Sequence, residues 1–173
     1  EAQESFRDLG KSMLIAFIVI LILLSAQFRS VMQPFIIACT IPLAFVGVIL
    51  GLMITRVPFG LMAFFGLVAL TGVVVNDAIV LISHINDLRR EGMLYDEAII
   101  QGGKNRLRPI ILTTVTTISG MIPLTLDFAG GAEYWRPLAI SIIFGLAMAT
   151  ILTLVVVPVL YSLIVRNNDL IST

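Results

Sequence analysis

Charge is scarce in this sequence. Only 13% of its 173 residues are Asp, Glu, Lys or Arg, about half the share found in soluble domains. The eleven basic and eleven acidic residues cancel, so no basic excess points to a nucleic-acid partner. Cysteine is nearly absent. Cys39 stands alone in an apolar run, where it cannot close an internal disulfide and reads as packing. There is no HExxH motif, no Ser–His pair within an apolar run and no second aspartate deep in one, which argues against an enzyme. The seven methionines are scattered, with no clustered pair to suggest a soft-metal path. The chain opens EAQESFRDLG, with neither an initiator Met nor a signal peptide, and reads as a piece of something longer.

What is abundant is hydrophobicity: 58% of residues are hydrophobic and the mean hydropathy is +1.05. Five apolar runs reach the roughly 20 residues that a membrane-spanning helix needs; they cover 12–28, 34–55, 59–83, 109–126 and 137–165. They are too long and too evenly apolar for the alternating strands of a β-barrel. Pro34, Pro109 and Pro137 stand at starts of runs, where a missing N–H costs nothing. Pro42, Pro123 and Pro158 fall inside, which a bilayer tolerates because neighbouring helices satisfy the freed carbonyls.

The expected fold is therefore all-α, a polytopic membrane bundle of five transmembrane helices. A lead-in segment, 1–11, precedes the bundle at 12–166, and a tail, 167–173, follows it. The one long connector, Ser83 to Arg108, holds five basic and four acidic residues. Within it LYDEAII reads as a short amphipathic helix, with Leu94, Ala98 and Ile99 on one face and Gly102-Gly103 ending it. It is either surface-bound or a solvated linker. Seven Lys or Arg residues flank one side of the spans and four the other. That bias places the long connector and the C-terminus in the cytoplasm.

Ten of the eleven acidic residues lie in connectors, at chain ends or at span boundaries; Asp77, in GVVVNDAIVL, is deep in a span. A charge at a helix centre costs about 2.5–3.5 kcal/mol on insertion scales, and such residues mark ion, proton or substrate paths. The structural alternative is a carboxyl hydrogen-bonded to neighbouring helices. Burial disfavours its charged form and a nearby cation favours it, so a carboxyl balanced between them can load and release a proton.

Helical spacing puts Gly72 and Asn76 on one face, with Asp77 and Leu81 on the adjacent one. His84 lies seven residues beyond Asp77 on the same side, as a proton relay or as an interfacial residue. In the fourth run Thr113, Thr116, Thr117 and Gly120 form a stripe suited to close helix contact. It is either plain packing or a seam facing Asn76 and Asp77. Arg106 and Arg108, just before that run, either snorkel inward or meet headgroups.

Three stretches carry a family resemblance: GVVVNDAIVLI, NRLRPIILTTVTTISGMIPL and RPLAISIIFGLAMATILTLVVVPVLY. Together with the Gln27–Pro34 connector and the span spacing, they resemble the C-terminal transmembrane half of resistance–nodulation–division (RND) efflux pumps, drug-exporting branch. The resemblance covers essentially the whole chain. It implies spans eight to twelve of a twelve-span pump, after a second periplasmic domain. It also implies a homotrimer in the bacterial inner membrane. Proton influx would be the energy source, with no cofactor. The cargo would be hydrophobic or amphiphilic small molecules. The partners would be the N-terminal half of the same pump, a periplasmic adaptor and an outer-membrane channel. By motif, Asn76 occupies the position of the family's relay lysine and Asp77 that of its asparagine neighbour. Arg106 and Thr113 match the relay arginine and threonine; His84 and Thr117 are auxiliary candidates. The lysine is missing and an acid sits beside its place. A non-transporting accessory or lipid-sensing module of the same kind is the alternative.

Overall fold

The computed structural model describes residues 2–28, 32–126 and 132–171, and every element among them is helical. The middle of the expected Gln27–Pro34 connector and the last two residues of the expected tail fall outside this set. Six α-helices follow one another: α1 Ala2–Phe28, α2 Met32–Ala38, α3 Thr40–Thr55, α4 Leu61–Arg90, α5 Tyr95–Leu126 and α6 Arg136–Ile171. A 3-10 turn at Ala132–Tyr134 leads into α6. Five stretches are long and apolar enough to cross a membrane, with α2 and α3 together making the second.

Helix α6 is the centre of the bundle, packed against α3, α4 and α5. Small residues let it approach so closely. A Cβ added to Gly47 of α3 would lie 2.6 Å from Met148 Cβ, and one added to Gly66 of α4 would lie 2.7 Å from the Leu138 carbonyl. Gly145 of α6 answers from the other side, lying against Leu70 and Val48. Two apolar clusters fill the space. One gathers Ala44, Val48, Leu67, Leu70, Val74 and Leu146. The other gathers Ile36, Ile37, Leu81, Ile85, Val157 and Tyr161. Helices α4 and α6 run parallel in constant register, since Leu70 meets Gly145 and Asn86 meets Tyr161, each pair 75 positions apart. Helix α1 packs chiefly on α2 and leaves Leu14, Ile15, Ile18, Ile22 and Leu23 exposed, as a lipid-facing helix would.

Two local readings are corrected. The second run is not one helix. It breaks at Cys39, because Pro42 has no N–H to offer the Ala38 carbonyl and its ring crowds that group. The Thr40 hydroxyl repairs the turn by donating to the Ile37 carbonyl at 2.6 Å. The short amphipathic helix is not separate either. It forms the first turns of α5, which continues through Gly102, Gly103 and Pro109. Gly102 does not stop the helix but makes room for Ile85, whose Cγ1 would lie 2.6 Å from an added Cβ. Leu94 precedes α5 and is exposed, so the buried face there is Ala98, Ile99 and Gly102.

Candidate functional site

Asp77 sits midway along α4, partly exposed, between buried Val74 and Ala78. Seven residues make nearly two helical turns, so Asp77 shares a side with Leu70 and with His84. Leu70 is fully buried. Asp77 therefore lies at the margin of the packed face, while Asn76 and Gly72 lie on exposed surface.

Helix α5 runs antiparallel beside α4. Asn105 Nδ2 is 3.2 Å from His84 Nε2, and Gly102 rests on Ile85. Counting seven residues back from His84 and seven on from Asn105 sets Asp77 level with Leu112. Asn76 is then level with Thr113, and Gly72 with Thr117. Ile118, which packs against the cluster of Leu67 and Leu70, fits the same register.

The expected stripe on α5 is on the outside. Thr113, Thr116 and Gly120 are exposed and Thr117 is partly so. The Thr113 hydroxyl donates to the Ile110 carbonyl at 2.9 Å, and Thr116 to that of Leu112 at 2.8 Å. The residue that faces inward is Thr114, whose hydroxyl pairs with Thr150 of α6 at 2.8 Å. Asn76, Gly72 and the stripe are thus uncovered by this chain, on neighbouring helices and at matched heights.

Arg106 lies level with Ser83, six residues from the level of Asp77, or about 9 Å along the axis. Its Nε is buried without a hydrogen-bond partner. Among the described residues no ion pair joins Arg106 to Asp77. Arg108 is exposed.

A polar node that the motif reading passed over lies at the end of the bundle where α4 ends and α5 begins. Buried Tyr161 donates to Asn86 Oδ1 at 2.6 Å, and Asn86 and Gln33 exchange amide hydrogen bonds at 2.9 and 3.3 Å. Arg89 donates to the Tyr161 hydroxyl at 3.3 Å and lies 4.9 Å from the centre of the Tyr95 ring. Tyr95 stacks on Tyr161 and donates to its carbonyl at 2.8 Å. The node ties α2, α4, α5 and α6 together. Its sequence signal is weak: Asn86 and Arg89 look like ordinary connector residues, and Tyr161 like one more apolar residue.

Five membrane-length helical stretches, a carboxyl within them and polar residues left uncovered by the described helices define a multi-pass membrane protein. The chain belongs to the AcrB/AcrD/AcrF family, whose profile matches residues 1–165; these are RND efflux transporters. Swarming motility protein SwrC of Bacillus subtilis (strain 168) is 36% identical over 164 residues, covering 94% of this chain and 16% of that protein. Multidrug resistance protein MdtC of Proteus mirabilis (strain HI4320) is 39% identical over 163 residues, covering 91% and 16%. Cobalt-zinc-cadmium resistance protein CzcA of Cupriavidus metallidurans is 37% identical over 155 residues, covering 90% and 15%. A crystal structure of a heavy metal efflux pump superposes with a TM-score of 0.85 at 31% identity, covering 95% of this chain and 16% of that one. The chain spans about a sixth of the length of these relatives. Their names speak of swarming motility, multidrug resistance and metal resistance, so they establish the efflux family without its cargo.

Proposed function

We propose that this chain is the second transmembrane half of a proton-coupled efflux pump and that Asp77 carries the coupling proton. One observation carries the reading: a carboxyl in mid-span, at the margin of the packed face, next to the uncovered Asn76 and one residue from the level of Thr113. An N-terminal half covering this face would exclude lipid from the carboxyl and complete a relay with Arg106 and Thr113. The unpartnered Arg106 Nε supports an arginine held ready for a carboxylate. Charge on Asp77 then alters the cost of burying the seam, so proton loading and helix packing become one event.

The remaining parts of the proposal follow the family. The pump is a homotrimer in the bacterial inner membrane with its C-terminus cytoplasmic, working with a periplasmic adaptor and an outer-membrane channel. Its cargo is hydrophobic or amphiphilic, in keeping with the scattered methionines. A metal cargo is the second reading, favoured by the CzcA relative.

The test is export by the full-length pump in cells, wild type against Asp77→Asn at matched expression, with an amphiphilic dye and with cobalt as cargoes. Loss of export with intact trimers is the expected result, and the cargo lost decides between the two cargo readings. Undiminished export across a range of external pH would remove Asp77 from the relay. A wild-type pump that exports neither cargo would favour the accessory module.

A further inference from the structure

Resting on the reading of Asp77 as proton carrier, we infer that His84, set against Asn105 and Gln101 of α5, is the port through which that proton leaves to the cytoplasm. His84 is on the same side of α4 as Asp77 and nearly two turns further along, about 10 Å toward the end of the bundle that bears Arg89, Arg90 and Lys104. It is partly buried, whereas Gln101 and Asn105 are exposed. Two contacts join the three side chains: Gln101 Nε2 donates to Asn105 Oδ1 at 3.1 Å, and Asn105 Nδ2 meets His84 Nε2 at 3.2 Å.

With Asn105 Nδ2 against the ring, His84 Nε2 accepts in the neutral tautomer that carries its proton on Nδ1. An imidazole in this state accepts a proton at one nitrogen and gives one up from the other. Protonated Asp77 releases its proton to water in the seam and becomes a carboxylate. Nε2 takes up a proton from that water and the ring becomes an imidazolium; Nδ1–H then passes its proton to cytoplasmic water. The ring is again neutral with its proton now on Nε2, one proton has crossed, and the ring must turn and exchange tautomers with water on one side before the next cycle. In the imidazolium state both ring nitrogens donate, so the Asn105 amide must turn its oxygen to Nε2 and release Gln101. Proton passage therefore loosens and remakes a contact between α4 and α5.

Within seven positions of His84 on α4 the charged residues are Asp77, Asp87, Arg89 and Arg90, and within three of Asn105 on α5 they are Lys104, Arg106 and Arg108. Helix α6 has no charged residue between Arg136 and Arg166. Among the described residues none of these groups forms an ion pair with the ring. The neutral amide is its polar partner, as a group that must change charge in each cycle requires.

The experiment uses the full-length pump in inverted membrane vesicles, whose cytoplasmic face is outward, with ethidium or cobalt(II) as the transported probe. His84→Gln keeps an amide against Asn105 and so preserves a positioning role; His84→Ala leaves a space the size of the ring. Both are expected to slow transport by ~10²-fold, the lower end of what a positioned proton-transfer group supplies. Imidazole added to the bath is expected to restore His84→Ala and not Asp77→Asn. Wild-type rates in both His84 variants, or slow rates that imidazole leaves unchanged, would overturn the port while leaving Asp77 in place. Wild-type transport by Asp77→Asn would remove the carrier, and the port with it.

Discussion

The close crossing of α3 and α6 supplies the sharpest structural prediction. Gly47 of α3 faces α6 where an added Cβ would lie 2.6 Å from Met148 Cβ, 2.8 Å from the Phe144 carbonyl and 3.0 Å from Gly145 Cα. Two of those three neighbours are backbone and cannot rotate away. Carbon atoms rest at about 3.5–4.0 Å, so Gly47→Ala must part the helices by roughly 1 Å. A gap of that size forfeits a quarter to a half of each dispersion contact along the seam. Overpacking of this kind costs about 1–3 kcal/mol, and each 1.4 kcal/mol is a tenfold change in an equilibrium. Gly103→Ala is the matched control. Nothing lies within 4 Å of its added Cβ, and the better helix former is worth up to about 1 kcal/mol in the opposite direction. Heat-induced unfolding of the purified full-length protein in detergent reads both. A lower midpoint for Gly47→Ala, with Gly103→Ala unchanged or higher, is expected. Equal midpoints for the two variants would refute the close α3–α6 crossing.

Two further predictions concern buried polar contacts. Tyr161→Phe removes the donor to Asn86 and the acceptor of Arg89; a loss of about 1–3 kcal/mol is expected because the ring is fully buried and its partners half-buried, and an unchanged unfolding midpoint would contradict the node. Thr114→Val combined with Thr150→Val should show a coupling near 0.6 kcal/mol, the average for hydrogen bonds between membrane helices; strictly additive effects would mean that the 2.8 Å contact contributes nothing.

Much of the fold is legible because a bilayer imposes one rule on long apolar runs: each must satisfy its own backbone. Hydropathy therefore finds the five membrane-length stretches, and their approximate limits follow. What it misses is decided by contacts between helices. Gly102-Gly103 reads as a stop, and nothing local reveals that Ile85 fills the space above Gly102. The break at Cys39 has its local signal in Pro42, but tolerance of proline inside a span hides the interruption between α2 and α3. At the site, Asp77 stands out by its cost alone. The face it serves does not, since Thr113 and Thr114 are adjacent hydroxyls of identical chemistry. Only packing shows that Thr114 turns to Thr150 while Thr113 turns out. Tyr161 with Asn86 is invisible for the same reason, because its partners lie 75 positions apart.

Coupling by this half of the pump depends on whether a proton passes through Asp77. Proteoliposomes holding the full-length pump and a pH-sensitive dye, given an imposed pH gradient and exported cargo, measure that flux directly. Cargo-dependent proton entry in wild type that vanishes in Asp77→Asn, with assembly unchanged, is the predicted result. The same proton flux in both would contradict it and leave Asp77 as a packing residue at the margin of the packed face of α4.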